Sequence, residues 1–253
     1  MLLSHFPEPL DGENHRAILK RLENVLDPEL DEPIVDLGFV RSARLDAGHA
    51  VVMLQLPTSW CAVNFAFMMA EDVRAALLAI EGVNEVTVRL GDHCAAEEIE
   101  VAVNGGRSFV QAFPGECGDS LDALRRNFWR KGFLARQERL LAALRGAGWS
   151  FAAINSLRLG DLAVTGESTV ARPPDGAPVA IGPADLLRRY VERRAELGLA
   201  DHSDTPLIID PDGVTLSAER LELYYRSVQT VRVSLEANGS FCRAVLATRG
   251  KNG

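Results

Sequence analysis

Cys61 stands three residues after Thr58 and directly after Trp60, at the head of a stretch to Ile80 that contains neither proline nor glycine. A thiol in the first turn of a helix faces unpaired backbone N–H groups and the positive end of the helix dipole, which favour its thiolate. Thiolate is the form that binds a soft metal such as iron or attacks sulfur. The bland alternative is a small buried hydrophobe between Trp60 and Ala62. Asp27 and Glu29 flank Pro28 just after an apolar-periodic segment, where a negative charge does nothing for a helix C-terminus. They can serve a site, or Asp27 can bond the backbone amides of a turn around Pro28; Asp36 has the same choice in its IVDLG turn. His93, Cys94, Glu97 and Glu98 gather an imidazole, a thiol and two carboxylates within six residues, at no standard ligand spacing. Incidental placement, with the glutamates at a solvated helix start, is the competing reading.

The chain has four cysteines, Cys61, Cys94, Cys117 and Cys242, and no CxxC pair, so neither a zinc ribbon nor a thioredoxin-type motif is present. Cys117 lies in the glycine-flanked loop GECGD, as an exposed reactive thiol or an incidental one. Cys242, in EANGSFCRAVL, has core packing beside Phe241 and Val245 as its simpler reading. A metal on Cys61 needs further ligands, from His93, Cys94, Cys117 or Cys242, or from a second subunit. One cysteine from each half of a homodimer could clasp a shared cluster.

The elements that must position these residues follow from periodicity and punctuation. Ile18, Leu19, Leu22, Val25 and Leu26 recur at helical spacing over Arg16 to Leu26, and Pro28 ends the pattern. Val40 to Leu45 and Ala50 to Leu56 read as antiparallel strands joined at Asp46-Ala47-Gly48. A largely buried helix from near Ser59 to Ile80 stops at Gly82, and Val83 to Leu90 reads as a third strand. The expected plan is a two-layer α/β domain with a small mixed sheet over residues 16–105, after a loose arm at 1–15. A mainly helical region over 119–253 follows. In it a helix from Leu121 to about Leu144 is capped by Ser120 or Asp119. A glycine- and proline-rich hairpin region runs from Asp161 to Gly182, between helices at Phe151 to Leu157 and Pro183 to Leu197. A short strand at Leu207 to Ile209 precedes a helix at Ser217 to Arg226, and the tail is expected as two segments broken at Asn238-Gly239.

Leu26 to Val40 (LDPELDEPIVDLGFV), the strand VVMLQLPT ending at Thr58, Cys61 after a short gap, and the GVNEVTVRL strand follow one another in an order that resembles the PaaD-like and SufT family of metal–sulfur cluster assembly proteins. The likeness covers about 75 residues. It implies an α/β fold and a part in assembling or delivering iron–sulfur clusters or maturing metalloenzymes, with Cys61 at the family's cysteine and Asp27, Glu29 and Thr58 at its other motif positions. Ala62 departs from the proline that often follows the cysteine. Association with multicomponent oxygenases is a further implication. From Leu140 to Tyr225 the layout resembles a tyrosine-recombinase catalytic domain, but its catalytic positions do not carry over: Tyr224 and Tyr225 lack the surrounding arginine and histidine set that strand cleavage needs.

Composition bounds the rest. A 253-residue chain that is 47% hydrophobic buries a real core, and a formal charge of -8 argues against a general nucleic-acid binder. No apolar run reaches the ~20 residues that span a bilayer, and the N-terminus lacks a signal-peptide pattern, so a cytoplasmic protein is expected. The conspicuous basic feature is the Leu121 helix, with Arg125, Arg126, Arg130, Lys131, Arg136, Arg139 and Arg145 at or near its surface. Arg125, Arg126, Trp129, Arg130 and Lys131 combine arginine and aromatic character in the manner of interaction surfaces. The leading expectation is a maturation factor that handles an iron–sulfur cluster, iron or sulfur through Cys61 and recognises a client metalloenzyme or assembly protein through its C-terminal region, without turning over a small molecule. The competing expectation is a non-catalytic protein- or DNA-binding module on a degenerate recombinase-like scaffold.

Overall fold

The computed structural model describes residues 13–115, 120–173 and 176–249; residues 1–12 of the expected arm, and Cys117, lie outside them. Two compact units emerge, Met1–Ala123 with Ala237–Gly253, and Leu124–Glu236. The first contains α1 (Glu13–Leu22), β1 (Val40–Asp46), β2 (His49–Gln55), α2 (Val63–Leu78), β3 (Glu85–Gly91), α3 (Ala96–Asn104) and the short α4 (Phe109–Ala112). This is the expected small mixed sheet: β1 pairs antiparallel with β2, and β2 pairs parallel with β3. A parallel neighbour requires a crossover, and α2 supplies it. Ala50, Val52 and Leu54 of β2 and Val86, Val88 and Leu90 of β3 are buried at every second position. α2 buries Ala66, Phe67, Met68, Met69, Ala70, Val73 and Leu77, which is why its sequence is apolar on most faces.

β3 is an edge strand in the order β1-β2-β3. Asn104 of α3 accepts from the Val88 N–H at 2.8 Å and donates to the Val88 carbonyl at 2.9 Å, and Glu100 accepts from the Leu90 N–H at 2.8 Å. Two helix side chains thus complete the ladder that a fourth strand would have made, and the edge is closed to other chains. α1 stops at Leu22, earlier than periodicity predicts. Val25 and Leu26 are instead taken into a tight loop, where the Ile34 N–H donates to the Val25 carbonyl at 3.0 Å and Leu26 bridges Pro33.

The second unit takes in most of α5 (Asp122–Gly146), then α6 (Phe151–Ser156), β4 (Leu162–Thr165), β5 (Ser168–Ala171), β6 (Val179–Pro183), α7 (Ala184–Glu196) and the first part of α8 (Ala218–Arg249). The predicted hairpin region is a three-stranded antiparallel sheet, because Val179 to Pro183 adds a third strand to β5. Its core centres on Gln137 and two tyrosines. Gln137 donates to the Tyr190 hydroxyl at 3.0 Å and the Ile209 carbonyl at 2.8 Å, while the Tyr224 hydroxyl donates to Gln137 at 2.7 Å. Phe133 stacks on Tyr190 at 5.6 Å between centroids. The fully buried Arg194 donates to the carbonyls of Pro206 and Leu207, each at 3.1 Å, and to that of Ala200. Burial raises the pKa of both Tyr190 and Tyr224, so these hydroxyls stay protonated and act as structural pins.

One expectation is corrected: the tail is not broken at Asn238-Gly239, and α8 runs unbroken through both residues. The reason lies in packing. A Cβ on Gly239 would sit 3.0 Å from Glu32 Oε1, so this glycine lets a loop side chain approach the helix backbone. In the β1–β2 turn the glycine has the opposite use, since Ala47 and Gly48 both adopt positive φ (46° and 84°). A Cβ on Gly48 would also lie 2.9 Å from the Gly82 carbonyl oxygen. Gly48→Ala should therefore lower unfolding free energy by about 1–3 kcal/mol, measured by urea denaturation.

Candidate functional site

Because β2 and β3 run parallel, the loops that leave them emerge at the same end of the sheet, the usual place for a site in such a fold. The loop after β2 is a short built turn. The Thr58 carbonyl accepts from the Cys61 N–H at 3.4 Å, and the Thr58 hydroxyl oxygen accepts from the Trp60 N–H at 3.3 Å. That hydroxyl also lies 3.4 Å from the Cys61 sulfur, with its own proton available to it. The turn corrects the expected helix start. α2 begins at Val63 with Ala62 as its N-cap, so Cys61 precedes the helix and its N–H is held by Thr58. Cys61 is half-buried, and its neighbour Trp60 is 80% exposed.

The loop after β3 fastens onto this turn. His93 is buried; its Nδ1 accepts from the Ala95 N–H at 3.2 Å, so the neutral ring carries its proton on Nε2 and donates to the Cys61 carbonyl at 2.9 Å. Both ring nitrogens are thereby committed to the loop. Next to it the Cys94 N–H donates to the Ser59 carbonyl at 2.9 Å, leaving the Cys94 side chain exposed. Glu97 and Glu98 lie exposed in the first turn of α3, where carboxylates suit the helix dipole. The contact between His93 and Cys61 was not read from the sequence; the available signal was that a histidine follows β3 while the cysteine follows its parallel neighbour.

Asp27 turns the chain after α1. Its Oδ1 accepts from the Glu29 N–H at 2.9 Å and the Leu30 N–H at 2.8 Å. Burial pushes its carboxyl up to about 6; the two amide bonds oppose this, and the charges of Glu29 and Glu32 add to it. Glu29 and Asp36 stand at the rim, half-buried and exposed respectively. Cys242, on the last part of α8, belongs to the same unit. Its thiol is pushed up to about 11, first by burial and then by the negative fields of Asp27, Cys61 and Glu29, with Arg243 opposing. Among the described residues no three His, Cys, Asp or Glu side chains converge as a complete metal site.

Several cations of α5 are used inside the second unit. Arg130 pairs with Asp212 at 2.8 Å, Arg139 pairs with Glu236 at 3.4 Å, and Arg145 lies over the Phe151 ring at 4.6 Å. Arg136, expected near the surface, is buried and donates to the Arg189 carbonyl at 2.5 Å. Arg126 and Lys131 are exposed, while Arg125 and Trp129 are half-buried. Among the described residues no helix is long and apolar enough to cross a membrane.

Comparison with known proteins agrees with the geometry at the first unit. Residues 15–88 match the family described as iron–sulfur cluster assembly protein. Over 75 residues the chain is 37% identical to the iron–sulfur cluster carrier protein of Deinococcus radiodurans, an alignment that takes in 30% of this chain and 21% of that relative. The chain therefore spans about a fifth of the length of the curated relative it matches.

Asp27 makes stability depend on pH with a definite sign. The folded chain keeps this proton up to a pH of about 6, whereas the unfolded chain releases it near 3.8, so folded protein binds more protons between those values. Stability from this group is present below about pH 4, falls as pH rises through 6, and is level above, a loss on the order of 3 kcal/mol. Asp27→Asn keeps an oxygen acceptor for the turn and should remove that slope. Urea unfolding of both proteins at pH 4.5 and 7 checks it: the variant should gain stability relative to the wild type at the higher pH.

Proposed function

We propose that this chain, whose residues 15–88 belong to the iron–sulfur cluster assembly protein family, carries iron, sulfur or an assembled cluster on Cys61 and passes it to a client protein. The observation that carries this reading is the placement of the Cys61 sulfur. It is half-buried on a turn fixed by Thr58 and His93, beside the open ends of two parallel strands. A cargo-bearing thiol must be reachable by a partner and held in one geometry so that binding does not first have to order the loop. Partial exposure supports the first requirement and the bonds from Thr58 and His93 support the second.

Transfer requires a protein to dock beside the thiol. Trp60, 80% exposed and adjacent in sequence, is a large aromatic of the kind enriched at interface anchors. The second unit offers a separate contact surface in Arg125, Arg126, Trp129, Arg130 and Lys131, and client recognition through that surface is part of the proposal. A client metalloenzyme, including an oxygenase component as the PaaD-like likeness implies, is the class of acceptor. Its metal or cluster is cargo in this reading. Cys94 is exposed and available as an accessory thiol.

Anaerobic incubation with iron and sulfide tests the reading. The wild type should gain thiolate-to-iron absorption with bound iron and sulfide, and Cys61→Ser should lose both while keeping the wild-type unfolding midpoint. Equal uptake by the two proteins would remove Cys61 from the mechanism.

A further inference from the structure

In the second unit α5 and α7 border a small charged cavity. Its volume is about 140 Å³, and it is lined by Arg136 and Arg139 of α5 and by Pro183, Asp185, Leu186 and Arg189 at the start of α7. Arg136 and Arg139 are three residues apart, and Asp185 and Arg189 four, so each pair shares one face of its helix. The two helices are joined here by the Arg136 guanidinium, which donates to the Arg189 carbonyl at 2.5 Å. Arg136 is buried, while Arg139, Asp185 and Arg189 are half-buried, so these charges act in a medium less screening than bulk water. Pro183 is exposed, and the cavity opens to solvent beside it. Three guanidiniums oppose one carboxylate on the lining. Arg139 also pairs with Glu236 at 3.4 Å, but both side chains are partly exposed, where such pairs are weak. The N-terminal end of α7 adds the positive pole of its helix dipole.

We infer that this cavity binds a small oxyanion, a phosphate or carboxylate group, through Arg136, Arg139 and Arg189. A guanidinium carries five N–H donors in a planar fork that matches the oxygens of such a group, so one that already holds a carbonyl or a carboxylate can accept a further partner. Volume sets the size of the ligand. Sites for whole drug-sized molecules begin at about 300 Å³, and this cavity has less than half of that, so it takes a single charged group. Leu186 and Pro183 can pack apolar atoms attached to it. Asp185 works against the ligand, since its carboxylate lines the same cavity as the three cations. Removing that carboxylate should therefore strengthen binding, which a purely structural cluster has no reason to do. The site lies wholly within the second unit and does not depend on the reading of Cys61.

Isothermal titration calorimetry of the full chain at low ionic strength, with inorganic phosphate, acetate and adenosine monophosphate as probes, tests the site. The wild type should bind phosphate or acetate saturably at one site. Arg189→Gln should weaken that binding at least about tenfold, the loss of one charge-assisted bond. Asp185→Asn should tighten it several-fold, a gain that a misfolded variant cannot imitate. Whichever of phosphate and acetate binds more tightly identifies the oxyanion. Adenosine monophosphate binding more tightly than phosphate would mean that the group belongs to a larger ligand, and equal or weaker binding that the free ion is the ligand. The inference is overturned if the wild type shows no saturable binding of either small anion, or if Asp185→Asn fails to tighten it.

Discussion

The parallel pairing of β2 with β3 is the constraint on which the first unit depends. Residue by residue, His49 faces Glu85 and Gln55 faces Gly91, so both strands finish at one edge of the sheet. An antiparallel register would have sent Cys61 and His93 to opposite ends. The crossover through α2 is buried along most of its length, and its apolar packing keeps the strands in that register. The His93 bond to the Cys61 carbonyl and the Cys94 amide bond to the Ser59 carbonyl then convert the shared edge into one rigid structure. Each such bond contributes only about 1 kcal/mol net, and together they tie the Cys61 turn to the loop after β3.

Around that turn the protein accumulates negative and potentially negative groups in a poorly solvated place. Asp27 is buried with its carboxyl raised to about 6, and Cys242 is raised to about 11 by burial together with Asp27, Cys61 and Glu29. Burying such groups costs stability unless something positive compensates them. Arg243 and Arg249 sit on the same stripe of α8, yet they pair with Glu32 and Asp92 at the rim. Arg243 also opposes the upward shift of the Cys242 thiol.

The second unit solves a different problem with the same chemistry. Its interior holds Gln137, Tyr190, Tyr224 and Arg194, each hydrogen-bonded to carbonyls or to one another. A network of this kind specifies one packing because any alternative strands a buried polar group. It also explains why the tyrosines are unsuited to nucleophilic work, since their hydroxyls are hydrogen-bonded and their ionisation is opposed by burial. The arginines that made α5 conspicuous divide between this interior scaffolding and the surface.

The sequence by itself determined the α/β plan of the first unit, the hairpin at Ala47-Gly48, the turn role open to Asp27 and the prominence of Cys61. These features rest on local chemistry: periodicity of apolar residues, a positive φ that glycine accepts, and a carboxylate two and three residues from the amides it binds. The tertiary structure decided what meets Cys61. His93 reaches its carbonyl across a parallel register, which no local spacing encodes. Asn238-Gly239 reads as a break because glycine and asparagine are poor helix formers. The helix persists there because the packed stripe of α8, and the room Gly239 gives Glu32, outweigh a local preference of about 1 kcal/mol.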